Sequence, residues 1–179
     1  LANNMSEVGQ LNPILLDKKS DSHFELISGL RRYDAALKLN WGNIDAIVFQ
    51  NLDEQSKILI MIAENAQRKS LNDYDLVNSL VHYLATSTGK SDNDVISFLT
   101  KMRNLDAGNV KSLSFDEKKL QKAMEEALGR TDKYSLKSLI SKIKVLNFYA
   151  ALVKAMKEHK LLYTYALNLN KVKDEQVMN

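Results

Sequence analysis

The sequence predicts two units: an α+β N-terminal domain over residues 1–70, a small mixed sheet with helices, and an all-α unit over residues 71–179. Two observations carry this. Before residue 70 short β-prone runs alternate with helical segments, whereas after Leu71 only the helical apolar period remains. Charge divides as well: residues 1–107 hold 11 Lys/Arg against 14 Asp/Glu, a net −3, and residues 108–179 hold 14 against 8, a net +6. A chain of 179 residues, 45% hydrophobic, is long enough to bury a core in each unit.

In chain order, a short helix is expected over Ala2 to Val8 and a strand over Pro13 to Leu16. A second strand comes at Phe24 to Ile27, then a helix from Gly29 to Leu39 and a strand at Ile44 to Phe49. Trp41, beside Gly42, is an anchor for the core or its edge. Asp53 caps a helix whose Ile58, Leu59, Met61 and Ile62 face the sheet and which ends near Glu64 to Gln67. Asn72 or Asp73 caps a helix striped by Leu76, Val77, Leu80, Val81 and Leu84, and Ser91 or Asp92 caps one striped by Val95, Ile96, Leu99 and Met102. Ser114 with Glu117 forms a capping box before Phe115, Leu120, Met124 and Leu128. The polar stretches 85–90 and 106–112 connect these helices, and the single proline, Pro13, interrupts none of them.

Composition narrows the function classes. Without cysteine there are no disulfides and no thiolate-bound zinc, as suits a reducing compartment. No apolar run approaches the roughly 18 residues of a membrane span and no signal peptide opens the chain, so a soluble intracellular protein with no membrane partner is expected. The first residue is Leu rather than Met, as expected of a piece of a longer protein. His23, His82 and His159 show no ligand spacing, and no Ser-His-Asp or paired-carboxylate pattern calls for an enzyme of another class.

Three features carry chemistry. Gly29-Leu30-Arg31-Arg32-Tyr33-Asp34-Ala35-Ala36 sets a glycine at a strand-to-helix turn and two arginines in the first helical turn. Backbone N–H groups, the helix dipole and guanidinium forks thus meet where an anion would bind, although alone such a start is more often a solvated first turn. Glu64-Asn65-Ala66-Gln67-Arg68 in isolation reads as a helix C-terminus with an Asn cap. The third feature is a helix-turn-helix near 117–146, with Gly129 to Tyr134 as the turn. In its second helix Leu136, Leu139, Ile140, Ile143 and Leu146 form the apolar stripe. Ser135, Lys137, Ser138, Ser141, Lys142 and Lys144 lie away from it, with Arg130 and Lys133 in the turn, as a DNA-facing surface requires, although alone such a polar side is more often an ordinary solvated helix face. A second run, Gly89 to Val95, resembles a recognition-helix start, but Asp92 and Asp94 would repel phosphate, so residues 86–112 are taken as an insertion.

The order Gly9-Gln10-Leu11-Asn12-Pro13-Ile14, then Gly29-Leu30-Arg31-Arg32, then Glu64-Asn65-x-x-Arg68 resembles the three boxes of the ParB family of partition proteins. The segment from Ala151 to Asp174 resembles the stretch C-terminal to that family's helix-turn-helix, with Tyr165 where His is frequent. The resemblance implies a ParB/sulfiredoxin-like N-terminal domain that binds CTP with Mg²⁺. It implies Arg31, Arg32 and Gly29 at the phosphates, Asn12 and Pro13 beside the base, Glu64 and Asn65 at the metal, and Arg68 at a phosphate or closing the pocket. It further implies double-stranded DNA bearing a centromere-like site, a ParA-like Walker ATPase, a homodimer formed through regions absent from this chain, and a cytoplasmic location on nucleoid or plasmid DNA. Two positions depart from the family: Leu30 replaces the usual Glu of Gly-Glu-Arg-Arg, and Asn12 the usual Gln. Loss of that carboxylate argues against more than weak CTP hydrolysis and leaves, as the alternative, a ParB-scaffold DNA-binding regulator or adaptor without nucleotide switching.

Overall fold

A computed structural model of the chain describes residues 1–66, 72–131, 133–158 and 161–171. It divides into two compact units, Leu1–Glu64 and Asn65–Asn179.

The first unit is built on three strands, β1 (Ile14–Ser20), β2 (His23–Ser28) and β3 (Ala46–Gln50), in the order β2-β1-β3. β1 runs antiparallel to β2 and parallel to β3, the latter in the register Ile14 to Ala46 through Lys18 to Gln50. Helices α1 (Ala2–Val8), α2 (Leu30–Lys38) and α3 (Glu54–Ala66) complete it. Met5, Ala35 and Ala36 form a small core on which Trp41 packs, as its expected anchor role requires. In α3, Ile58 and Ile62 are buried but Met61 is 38% exposed, so the apolar face is narrower than the sequence implied.

β1 extends four residues beyond the predicted Leu16, through the polar stretch Asp17 to Ser20. Asp17, fully buried, makes this possible. One carboxylate oxygen accepts from Leu52 N–H at 3.2 Å and the other pairs with Lys19. Lys19 first, then the Leu52 N–H, hold the Asp17 carboxyl below the usual carboxylate range against the opposing effect of burial. Lys57 of α3 joins the same surface through Glu25, 2.6 Å away.

The second unit is helical: α4 (Asp73–Thr88), α5 (Asp92–Asp106), α6 (Phe115–Gly129), α7 (Leu136–Lys142), α8 (Ala150–Lys157) and α9 (Tyr163–Leu169). Asn72, Ser91 and Ser114 are the N-caps, the last two in full capping boxes with Asp94 and Glu117. α4 is the central element, with Val77, Leu80, Val81, Tyr83 and Leu84 all buried. α5 buries Val95, Phe98, Leu99 and Met102 and packs on α4 and α7, so the stretch read as an insertion supplies core. Phe115, placed in the α6 stripe by the sequence, is 83% exposed; the residue ahead of the cap, Leu113, is buried instead.

The helix predicted over 135–146 is α only to Lys142 and continues as a 3-10 turn over Ile143–Asn147. Ile143 and Val145 are both buried, although a continuing α-helix would set residues two apart about 200° from one another. Tightening the last turn satisfies both.

Candidate functional site

In the first unit, the boxes meet at Arg32. Its guanidinium lies 3.4 Å from the Asn12 carbonyl and 3.4 Å from Glu64 Oε1, the side chains of Arg32 and Glu64 being 18% and 22% exposed. Gly29 caps α2 with φ +104°, and its carbonyl accepts from Arg32 N–H at 2.8 Å and Tyr33 N–H at 3.0 Å. A Cβ at Gly29 would stand 2.7 Å from Ile14 Cγ2 and 3.2 Å from an Arg32 guanidinium nitrogen. Glycine is therefore required twice, by backbone conformation and by close approach of α2 to β1. The first-turn N–H groups of Leu30 and Arg31 have no intrahelical acceptor, and Arg31 is exposed, so this corner offers donors and positive charge to an anion.

Gln10 fixes the first box. Its amide nitrogen donates to the carbonyls of Asn12 (2.9 Å) and Asp45 (2.8 Å), and its oxygen accepts from Asp45 N–H at 2.7 Å. The side chain thereby mimics a strand partner and ties the Asn12–Pro13 loop to the start of β3. Asn12 is exposed and Pro13 half-buried. Asn65 lies in the last turn of α3 after Glu64, and Arg68 lies outside the described residues. Among the described residues no three His, Cys, Asp or Glu side chains gather as a metal site. The donor set, one half-buried carboxylate beside a guanidinium, suits a hard cation that arrives with its own phosphate oxygens rather than a cage made by the protein.

In the second unit, the helix-turn-helix expected near 117–146 falls on α6 and α7, which are separated by residues 130–135. Tyr83 of α4, fully buried, donates to the Ala127 carbonyl at 3.0 Å. Thr131 Oγ1 donates to the Leu128 carbonyl at 2.6 Å and accepts from Tyr134 N–H at 3.1 Å. These bonds fall on the last turn of α6 and on the residues that follow it. Ser135 caps α7, accepting from Ser138 N–H at 3.2 Å, and Ser141 Oγ donates to the Ser138 carbonyl at 2.7 Å. Arg130, Lys133, Ser135, Lys137, Ser138, Ser141 and Lys144 are exposed. Lys133 Nζ lies 5.8 Å from the Tyr134 ring centroid. Lys142 differs: it is half-buried and paired with Asp73, in the first turn of α4. Tyr163 of α9 donates to the Ser141 carbonyl at 3.1 Å and stacks on Phe148 at 6.0 Å, which supports the end of α7. Gln10, Tyr83, Thr131 and Asp73 were not found from the sequence, because each acts on a chain-distant partner or through an ordinary turn contact.

The run at Gly89 to Val95 has a structural job. Asp94 closes the capping box of α5, and the Ser91 hydroxyl and N–H hold its carboxyl below the usual range.

The ParB N-terminal domain family matches residues 1–66. A probable plasmid-partitioning protein ParB from Thermus thermophilus is 32% identical over 177 residues, spanning 97% of this chain and 58% of that protein. Another from Deinococcus radiodurans is 29% identical over 159 residues, covering 88% and 50%, and a nucleoid occlusion protein from Lysinibacillus sphaericus is 41% identical over 63 residues, covering 35% and 21%. The chain thus spans about half the length of the plasmid-partitioning relatives it matches, 58% of one and 50% of the other. A crystal structure of C-terminally truncated ParB from Caulobacter crescentus, complexed with CTP-gamma-S, aligns over 99% of this chain and 80% of that one at 18% identity, with a TM-score of 0.35, too low to bear on the site. Fold and matches define a chain with a ParB N-terminal domain and a helical unit behind it. Residues 1–66 match the ParB N-terminal domain, and the chain as a whole is similar to plasmid-partitioning ParB proteins.

Proposed function

We propose that the chain is the nucleotide-box and DNA-binding part of a DNA-segregation protein that holds a centromere-like duplex site through α6, the turn and α7. The observation that carries the DNA reading is the outward row Ser135, Lys137, Ser138, Ser141 and Lys144, on a helix whose opposite face, Leu136, Leu139 and Ile140, is buried. Lysines neutralise phosphates and release counterions, while short hydroxyls allow close approach to the backbone and base edges. A homodimer would set two such helices about one DNA turn apart, so the site would be palindromic. The names of the plasmid-partitioning relatives support the reading, which extends to a ParA-like Walker ATPase as partner and a cytoplasmic location on nucleoid or plasmid DNA.

The first unit, on this proposal, takes CTP with Mg²⁺. Arg31, Arg32 and the α2 N-terminus would meet the phosphates, Asn12 and Pro13 would flank the base, and Glu64 with Asn65 would meet the metal, with Arg68 as a further phosphate contact. The convergence of the three boxes on Arg32 supports this. Leu30, 60% exposed at the head of α2, offers no proton acceptor, so rapid hydrolysis is not expected. The same residue favours the second reading, a DNA-binding regulator or adaptor on this scaffold without nucleotide switching.

Calorimetry separates the two. CTP with Mg²⁺ is expected to bind the wild type and to lose affinity in Arg32→Ala and Asn65→Ser; a folded wild-type protein that binds no CTP leaves the second reading. For DNA, Lys137→Ala and Lys144→Ala are each expected to weaken binding and to lower the slope of log affinity against log salt by about 0.9.

A further inference from the structure

Asp73 reaches across from the first turn of α4 to Lys142 in the last turn of α7, 69 residues away, with both side chains partly buried. Capping does not occupy it, because Asn72 caps α4 by accepting from Asp75 N–H at 2.9 Å. Of the three lysines read as DNA-facing on α7 and its 3-10 extension, Lys137 and Lys144 are exposed, and Lys142 is the one held by a carboxylate among the described residues. We propose that Asp73 is an internal competitor for DNA phosphate, so that Lys142 joins a DNA complex only by leaving Asp73. This rests on the reading of α7 as the DNA-contacting helix.

The chemistry is an exchange of one anion for another. A phosphate that takes Lys142 releases the counterions condensed on DNA, but the carboxylate left behind draws a cation from solution. The net ion release, and with it the salt dependence, is therefore smaller than for a lysine without such a partner. Lys142→Ala should consequently weaken DNA binding less than Lys137→Ala. Removing the carboxylate should strengthen it. Since a partly exposed ion pair is a weak competitor, the gain should be about two- to fivefold.

The test uses the full 179-residue chain and the fluorescence anisotropy of a short labelled duplex of arbitrary sequence, titrated across a salt series. Asp73→Asn is expected to bind about two- to fivefold tighter at low salt, with a slope steeper by up to about 0.9. Asp73→Ser, whose side chain also suits a helix start, should give the same gain, and far-UV circular dichroism checks that both variants fold. The decisive comparison is Asp73→Asn in the Lys142→Ala background, where the gain should vanish. An equal gain with and without Lys142 would mean that only overall charge changed, and no gain with Lys142 present would also overturn the exchange. If neither Lys137→Ala nor Lys144→Ala weakens binding, α7 is not on the DNA and both readings fall together. If those two weaken binding while Asp73→Asn changes nothing, the exchange alone falls.

Discussion

Replacing Gly29 by alanine tests how the first unit assembles its anion-binding corner. At φ +104° an L side chain pays a conformational penalty of about 1–2 kcal/mol. The new Cβ would also stand 2.7 Å from Ile14 Cγ2 and 3.0 Å from Ile14 Cβ, and Ile14 is itself 2% exposed at the start of the central strand. Overpacking of that kind adds about 1–3 kcal/mol, so the expected destabilisation is about 2–5 kcal/mol. Trp41, the sole tryptophan, packs on the Met5–Ala35–Ala36 core, so its fluorescence during urea unfolding reports on this unit. The two contributions separate in a double-mutant cycle. In an Ile14→Ala background the Cγ2 contact is gone, and Gly29→Ala should cost about 1–2 kcal/mol less than in the wild type. A cost below about 0.5 kcal/mol in the wild type, within the range of ordinary surface changes, would refute the strain argument. An unchanged cost in the Ile14→Ala background would refute the packing part of it.

Further expectations concern the second unit and the charge pairs. Tyr83→Phe removes one of the two donors to the Ala127 carbonyl, leaving the Arg130 N–H at 3.2 Å, and should cost about 0.5–1.5 kcal/mol, read by circular dichroism on denaturation, with faster amide exchange around the α6–α7 turn. Lys101 first, then the Ser114 N–H, hold the Glu117 carboxyl below its ordinary 4.5. A folded-state pKa below the unfolded one stabilises above the unfolded value and loses that stabilisation as pH falls. Glu117→Gln should therefore be less stable at neutral pH and show a flatter loss of stability below about pH 4.5. Glu25, held down chiefly by Lys57, has the same sign, and Glu25→Gln should flatten the acid limb followed by Trp41. Arg32→Lys should fail to restore the CTP affinity lost in Arg32→Ala, since an ammonium cannot span both the Asn12 carbonyl and Glu64 as the planar fork does.

Sequence alone determined what depends on nearby residues. Ser114 with Glu117 three positions on, the apolar period of α4, and a glycine between strand and helix are local patterns, and each produced its element. The three boxes were legible as motifs for the same reason, being short runs of fixed spacing. The tertiary structure decided what those runs do to one another. Nothing local says that Arg32 spans Asn12 and Glu64, that Gln10 copies a strand edge against Asp45, or that Asp17 can extend β1 through polar residues. Nor does the outward face of α7 disclose that Lys142 is already held by Asp73. Helix caps and apolar periods act within a few residues, whereas ion pairs, strand register and close packing are fixed only when distant segments meet.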